Sequence, residues 1–495
     1  MAQVSSTSSR KLNLKDVVIN PANLKCSSLP LFSLRNQYSI NFHLSWLGFF
    51  VAFLSWFAFA PLIPDVIKKD LKLTSAQVGN SNVVSLCATL VVRMVAGPLV
   101  DRFGPRKVMA TLLILGAIPS GLAGTVSTAN GLYVVRFFIG ILGGTFVACQ
   151  AWTTAFFDTN VVGTANALAG GWGNSGGGFT FIIMIALFNK LVADGLTPHV
   201  AWRASFALVP VPVLLSVAAA TLVFGTDHPA GRWSDRHQAI AAELGGTIKE
   251  DQEHASSYES KKDAEKKDGS AEVEVTVAAV QDFSSYNVSK LDVAVSRPLN
   301  GRVAYDVVFN PLTWLPALAY LTTFGYELAI DANLANVLYN LMKSPSFGQT
   351  KAGYIAGIYG FLNIVTRPLG GYWGDLIYKK FGVPGKKYLL IAFGVVQGAL
   401  SLGLGFYIDN HHEPSLTVII VLFVILAIVN EAANGVNFSL VPHCNPCSNG
   451  FMTGIVGGMG NLGGIMFALI FRLQPAPAGK AFVTCGIIAM VCPAN

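Results

Sequence analysis

Long apolar runs joined by short polar stretches dominate this chain. WLGFFVAFLSWFAFAPLI from Trp46 and LTVIIVLFVILAIV from Leu416 are the clearest of the runs. A helix needs about 20 mostly apolar residues to cross a bilayer. That rule predicts twelve spans, the first six near 44–64, 77–99, 107–127, 131–154, 162–188 and 202–224. The other six are expected near 311–338, 350–374, 387–408, 416–436, 449–472 and 479–495. The last is short, with about 17 residues after Ala478, near the lower limit for crossing. The fold class is therefore an all-α polytopic membrane protein. It has an N-terminal tail over 1–43, a six-helix half over 44–225 and a second over 301–495. The polar stretch between them, 226–300, is rich in Glu, Lys, Asp and Ser (KKDAEKKDGSAEVEV) and buries too little apolar surface to fold alone, so a flexible linker is expected. Its serines are candidate sites for regulatory kinases.

Composition agrees. Of 495 residues, 52% are hydrophobic and 12% charged, about half the charge fraction of a soluble domain. The net charge of +7 does not indicate nucleic-acid binding, because the basic residues sit in short clusters between spans. Arg10, Lys11 and Lys15, then Arg102, Arg106 and Lys107, then Lys379, Lys380, Lys386 and Lys387 all fall on one side of a twelve-span chain. That side is expected to be cytoplasmic and to hold both termini and the linker; Lys68, Lys69 and Lys72 run against it. The tail lacks a cleavage pattern, so the first span is expected to act as an uncleaved insertion signal. Seven cysteines form no framework, and HCNPC from His443 holds one CxxC with no second pair at zinc spacing, which reads as a connecting loop rather than a metal site.

The two halves repeat. LVVRMVAGPLVDRFGPRK (90–107) aligns with NIVTRPLGGYWGDLIYKKFG (363–382), and in each an arginine precedes an aspartate by eight residues: Arg93 to Asp101, Arg367 to Asp375. At 1.5 Å per residue each arginine lies about 12 Å deeper than its aspartate, near the middle of a ~30 Å core. AGGWGNSGGG from Ala169 and GGMGNLGG from Gly457 then place Asn174 and Asn461 at similar depth in the fifth and eleventh spans. Repeated halves with polar groups converging at the midplane are the arrangement of transporters.

A midplane arginine costs about 3 kcal/mol on insertion scales. One reading pairs it with an acid on a neighbouring helix, and the mid-span acids are Glu327 and Glu431, with Asp331 a turn beyond Glu327. The favoured reading has both arginines face one cavity and attract a small planar oxyanion, which the guanidinium fork fits. The Gly-x-Gly-x-x-Gly spacing is no nucleotide loop here, since it lies inside apolar spans without a preceding strand. Its small residues let helices approach closely. Asn174 and Asn461 are left to donate to the anion or orient the arginines. No cofactor loop, metal cluster or nucleophile–base pair points to an enzyme.

These segments resemble the nitrate/nitrite porters of the major facilitator superfamily over essentially the whole chain. GPLVDRFGPRK and GGYWGDLIYKKFG are similar to the superfamily's loop motif, and the GGWGNSGGG/GGMGNLGG pair resembles the porters' nitrate signature. The long linker and the lack of a C-terminal tail look most like the fungal and yeast branch. The resemblance implies that Arg93 and Arg367 clamp nitrate, that Phe146 lies against the anion, and that Tyr320 and Phe324 form an aromatic pair beside it. It implies that the signature asparagines and Gly171, Gly173, Gly176, Gly177, Gly458, Gly460, Gly463 and Gly464 belong to helices that bend as the porter switches sides. It further implies a plasma-membrane importer of nitrate and nitrite driven by proton symport; a nitrate/nitrite exchanger or a nitrate sensor of the same fold are the alternatives. Arg136 matches a superfamily arginine and is expected in a structural ion pair. Glu327 is either the proton carrier or the partner of an arginine.

Overall fold

The computed structural model describes residues 14, 16–20, 23–158, 161–235, 299–342, 344, 347–474 and 476–491. The first half contributes α1 (Gln37–Asp70), α2 (Ser75–Phe103), α3 (Pro105–Thr125), α4 (Ala129–Phe156), α5 (Val162–Ala193) and α6 (Pro198–Phe224). After a short helix, Gly301–Val308, the chain bends by 65° into α7 (Pro311–Leu341). The helical stretch Gln349–Asn410 has 62 residues, about 93 Å at 1.5 Å per residue and too long for one crossing. It turns at Gly382, whose φ of +63° suits a residue without Cβ, and Pro384 follows near the start of the next helix. The stretch is therefore two spans, α8 (349–381) and α9 (383–410). α10 (Leu416–Cys444), α11 (Asn449–Leu473) and the shorter α12 (Ala478–Val491) complete the chain.

A helix stands at each of the twelve expected positions, with shifted ends; the last, α12, has 14 residues and is short of a full crossing. α1 starts at Gln37 because Asn36 caps it, its side chain accepting from Ser39 N. α10 runs on to Cys444, so His443 and Cys444 are helical rather than part of a loop. His443 Nε2 lies 3.3 Å from Lys386 Nζ, and no group of three His, Cys, Asp or Glu among the described residues is placed to hold a metal. Part of the tail is packed: Cys26 N donates to Phe156 O at 2.9 Å and Tyr38 Oη to Leu24 O at 2.6 Å. The start of the interhelical stretch is packed too, since Trp152 Nε1 donates to Thr226 O and Trp233 Nε1 to Asp101 O. Its residues 236–298, with all of the candidate phosphorylation serines except Ser234, lie outside the described residues, as do Arg10, Lys11 and Lys15 of the tail.

The two sets of six helices meet through α2 against α11 and through α5 against α8 and α10. Each repeat aspartate reaches across. Asp101 accepts from Gly450 N at 3.1 Å and Phe451 N at 2.8 Å, at the start of α11. Asp375 accepts from Thr164 N at 2.7 Å, at the start of α5, and pairs with Lys386 at 3.2 Å. A carboxylate at a helix N-terminus meets both unpaired N–H groups and the positive end of the dipole. At the opposite end Val66 N donates to Gln349 Oε1 at 3.2 Å and Asn82 Nδ2 to Ala332 O at 3.3 Å. The sets therefore touch at both ends, with the midplane enclosed between them.

Candidate functional site

Arg93 and Arg367 are among the largest fully buried side chains of the protein. Arg93 donates through Nε to Gly143 O at 2.9 Å and through Nη1 to Gly457 O at 3.0 Å, while its Nη2 has no partner. Arg367 donates through Nη2 to Tyr320 Oη at 2.8 Å and through Nη1 to Asn363 Oδ1 at 3.4 Å. Among the described residues, neither guanidinium makes a salt bridge within 4.0 Å of a carboxylate. Two buried cations thus hold their positions through neutral acceptors.

Aromatic rings lie against both guanidiniums. Tyr320 and Phe324, one turn apart on α7, stack with centroids 4.7 Å apart and planes 3° apart. Phe146 of α4 lies parallel to both, at 5.9 and 6.0 Å. The Arg93 guanidinium carbon sits 4.7 Å from the Phe146 centroid and 5.0 Å from that of Phe324; that of Arg367 is 5.6 Å from Phe324. Ring faces carry partial negative charge, so these contacts offset part of the cost of burying two cations side by side.

The signature asparagines are placed differently from each other. Asn174 Nδ2 donates to Glu327 Oε1, and Asn461 Nδ2 donates to Gly457 O of its own helix at 3.0 Å. Neither side chain hydrogen-bonds to an arginine among the described residues. The glycines sit where helices touch most closely. A Cβ on Gly171 would overlap Asn363 O across the interface between the halves, and one on Gly463 would overlap Leu321 O. Gly460 faces the Tyr320 ring, Gly173 faces Phe49 and Gly176 faces Phe50 O; Gly177, Gly458 and Gly464 have looser neighbours. The helical hydrogen-bond pattern of α5 breaks at Ser175, just past Asn174, and α8 breaks at 363–365, just before Arg367. α11 runs unbroken through its own signature, so the two copies are alike in sequence and unlike in backbone.

Glu327 is fully buried and is not paired to an arginine. Its Oε1 accepts from Asn174 and from Asn363 Nδ2 at 2.7 Å, and its Oε2 from Asn434 Nδ2 at 2.6 Å. Three amides from α5, α8 and α10 converge on one carboxyl. Sequence reasoning missed Asn363 and Asn434. A signal was present: Asn430, Asn434 and Asn437 recur at helical spacing around Glu431 in NEAANGVN, an expensive amide ladder in an otherwise apolar span. Arg136 also departs from expectation. It donates to Ser81 Oγ and Asn82 Oδ1, each at 2.6 Å, and has no carboxylate partner among the described residues. Its neighbours on α2 are hydroxyl and amide side chains, so no structural ion pair forms.

Two six-helix sets enclosing charged side chains at mid-depth define a transporter of the major facilitator class. The family model of the Major Facilitator Superfamily matches residues 45–468, and the chain belongs to that superfamily of multi-pass membrane transporters, which are not enzymes. Within it, the chain is similar to high affinity nitrate transporter 2.5 of Arabidopsis thaliana, 32% identical over 94% of this chain and 81% of that one. It is also similar to the nitrate/nitrite transporter NrtP of Nostoc punctiforme, 28% identical over 93% of this chain and 92% of that one. Among solved structures, the proton:xylose symporter XylE matches with a TM-score of 0.60 at 13% identity, covering 93% of this chain and 95% of that one, a likeness of fold.

Proposed function

We propose that this chain imports nitrate, and nitrite, by alternating access, with the anion held between Arg93 and Arg367 and uptake coupled to protons. The observation that carries the reading is the pair of buried guanidiniums, one from each half, that share an aromatic stack and have no carboxylate within 4.0 Å among the described residues. A planar oxyanion supplies the missing negative charge. It takes the unpartnered Nη2 of Arg93 and displaces Tyr320 Oη as the acceptor on Arg367. Phe146, Tyr320 and Phe324 offer flat faces and no fixed acceptor other than the Tyr320 hydroxyl, which suits a small weakly hydrated anion. The similarity to plant and cyanobacterial nitrate transporters supports the same substrate.

Anion binding neutralises charge that otherwise pushes the halves apart, so closure follows binding. Small residues at the α5–α8 crossing, with helix breaks in both, give the halves a place to rock. In this reading 44–225 and 301–495 move as units, and the polar stretch 226–300 between them, regulated by kinases, supports a relation to the fungal branch. Entry of an anion into a negative interior is opposed by about 2.3 kcal/mol per charge per 100 mV. Accumulation at the plasma membrane, with termini and linker cytoplasmic, therefore requires more than one proton per nitrate, and the buried Glu327 beside the clamp is the proposed coupling group.

The test is direct binding to the detergent-purified protein. Titration calorimetry should show nitrate bound and displaced by nitrite, with no heat from sulfate, which is tetrahedral and doubly charged. Binding of sulfate as tight as nitrate, or no nitrate binding at all, would contradict the planar clamp.

A further inference from the structure

Glu431 of α10 is fully buried and, among the described residues, has a single hydrogen-bonding neighbour, Thr366, just past the break in α8 and one residue before Arg367. Thr366 Oγ1 lies 2.8 Å from Leu362 O and also in hydrogen-bond contact with Glu431 Oε2. A hydroxyl has one O–H to donate. Leu362 O is a carbonyl and only accepts, so for both contacts to be hydrogen bonds the threonine proton goes to it, one turn back along the helix. The contact with Glu431 then needs a proton from the other side: the carboxyl O–H donates and Thr366 Oγ1 accepts.

The remaining oxygen points to the same state. Glu431 Oε1 is buried with no hydrogen-bond partner, and no cation lies within 4.0 Å of the carboxyl among the described residues. An ionised carboxylate in such a place is strongly disfavoured, whereas a neutral acid with an unbonded carbonyl oxygen is tolerable. Glu327 has the opposite surroundings. Every one of its three contacts is an amide N–H aimed at a carboxyl oxygen, the arrangement that satisfies an ionised carboxylate. The titratable groups facing Glu431 are Glu327 and Asp331 from α7, and Tyr359 and Arg367 from α8. α5 and α11 carry only Lys190 and Arg472 as titratable side chains, both near helix ends. Lys386 of α9 sits at Ser439, two turns along α10.

We propose that Glu431, through Thr366, is the proton-binding carboxyl of the closed porter, and that Glu327 is its resident carboxylate, so that the pair shares one proton next to the anion clamp. Through its role in transport this rests on the porter reading above, and it deepens that reading by dividing the coupling between two acids. The joint at 363–365 links them: Asn363 donates to Glu327, Thr366 Oγ1 is in hydrogen-bond contact with Glu431, and Arg367 is the neighbouring residue. Straightening or rotating that joint as the halves rock moves the acceptor away from the Glu431 proton, which is then free to leave.

The test is infrared spectroscopy of the full-length protein in lipid at neutral pH, reading the carboxylic-acid C=O stretch. Glu431→Gln should remove one component of that band, and Glu327→Gln and Asp331→Asn should leave the same component in place. Thr366→Val should shift it to higher frequency, because the O–H loses its acceptor; this variant also serves if Glu431→Gln does not fold. A band unchanged in Glu431→Gln, or one lost in Glu327→Gln instead, overturns the assignment. Nitrate binding by the same wild-type samples reads the porter proposal separately: a Glu431 band without nitrate binding overturns that proposal and leaves the proton on Glu431.

Discussion

Arg93→Lys and Arg367→Lys should each raise the apparent KM for nitrate by roughly 10- to 100-fold, with the protein still folded and in the membrane. Lysine keeps the charge but replaces a planar fork of donors with a single point. In Arg93 the Nε and Nη1 groups already anchor the side chain to Gly143 O and Gly457 O, leaving Nη2 for the anion. An ammonium cannot do both jobs: it either holds the carbonyls and leaves the anion, or the reverse. One hydrogen bond to a charged group contributes about 1.5–3 kcal/mol, which gives the expected range at about 1.4 kcal/mol per tenfold. Initial uptake rates over a nitrate concentration series measure it. Near-normal KM in both variants would contradict the clamp.

Glu327→Gln should abolish pH-driven accumulation, by at least about 10-fold, while nitrate binds as tightly as before or more tightly. The sign follows from charge. The site holds two guanidiniums and one amide-caged carboxylate, and removing the carboxylate makes it more positive toward an anion. The cage itself adapts. Glutamine keeps one accepting oxygen, and its NH₂ group meets Asn174 or Asn434, whose Oδ1 atoms are unbonded and can turn to accept. Uptake against an imposed pH gradient, compared with equilibrium binding in the same variant, separates coupling from affinity. Full pH-driven accumulation in the variant would remove Glu327 from the coupling.

Much of this architecture was legible in the sequence because a bilayer imposes a coarse rule. The positions of the helices follow from apolar length, and the eight-residue offset sets Arg93 and Arg367 about two turns along their helices from Asp101 and Asp375. Pairing of side chains was not legible, because it depends on how helices rotate about their axes, which hydropathy does not encode. Glu327 was expected to carry a proton or to pair with an arginine, and the structure surrounds it with asparagines from three helices. Arg136 was expected in an ion pair and instead finds Ser81 and Asn82. The identical spacing of the two glycine signatures also hid a difference: only α5 breaks there.

Nitrate uptake into proteoliposomes holding this protein alone, with either an imposed proton gradient or nitrite inside, measures the coupling most directly. Uptake should follow the proton gradient and ignore internal nitrite. Uptake that requires internal nitrite and ignores the gradient would make the protein an exchanger and contradict a coupling role for Glu327 and Glu431.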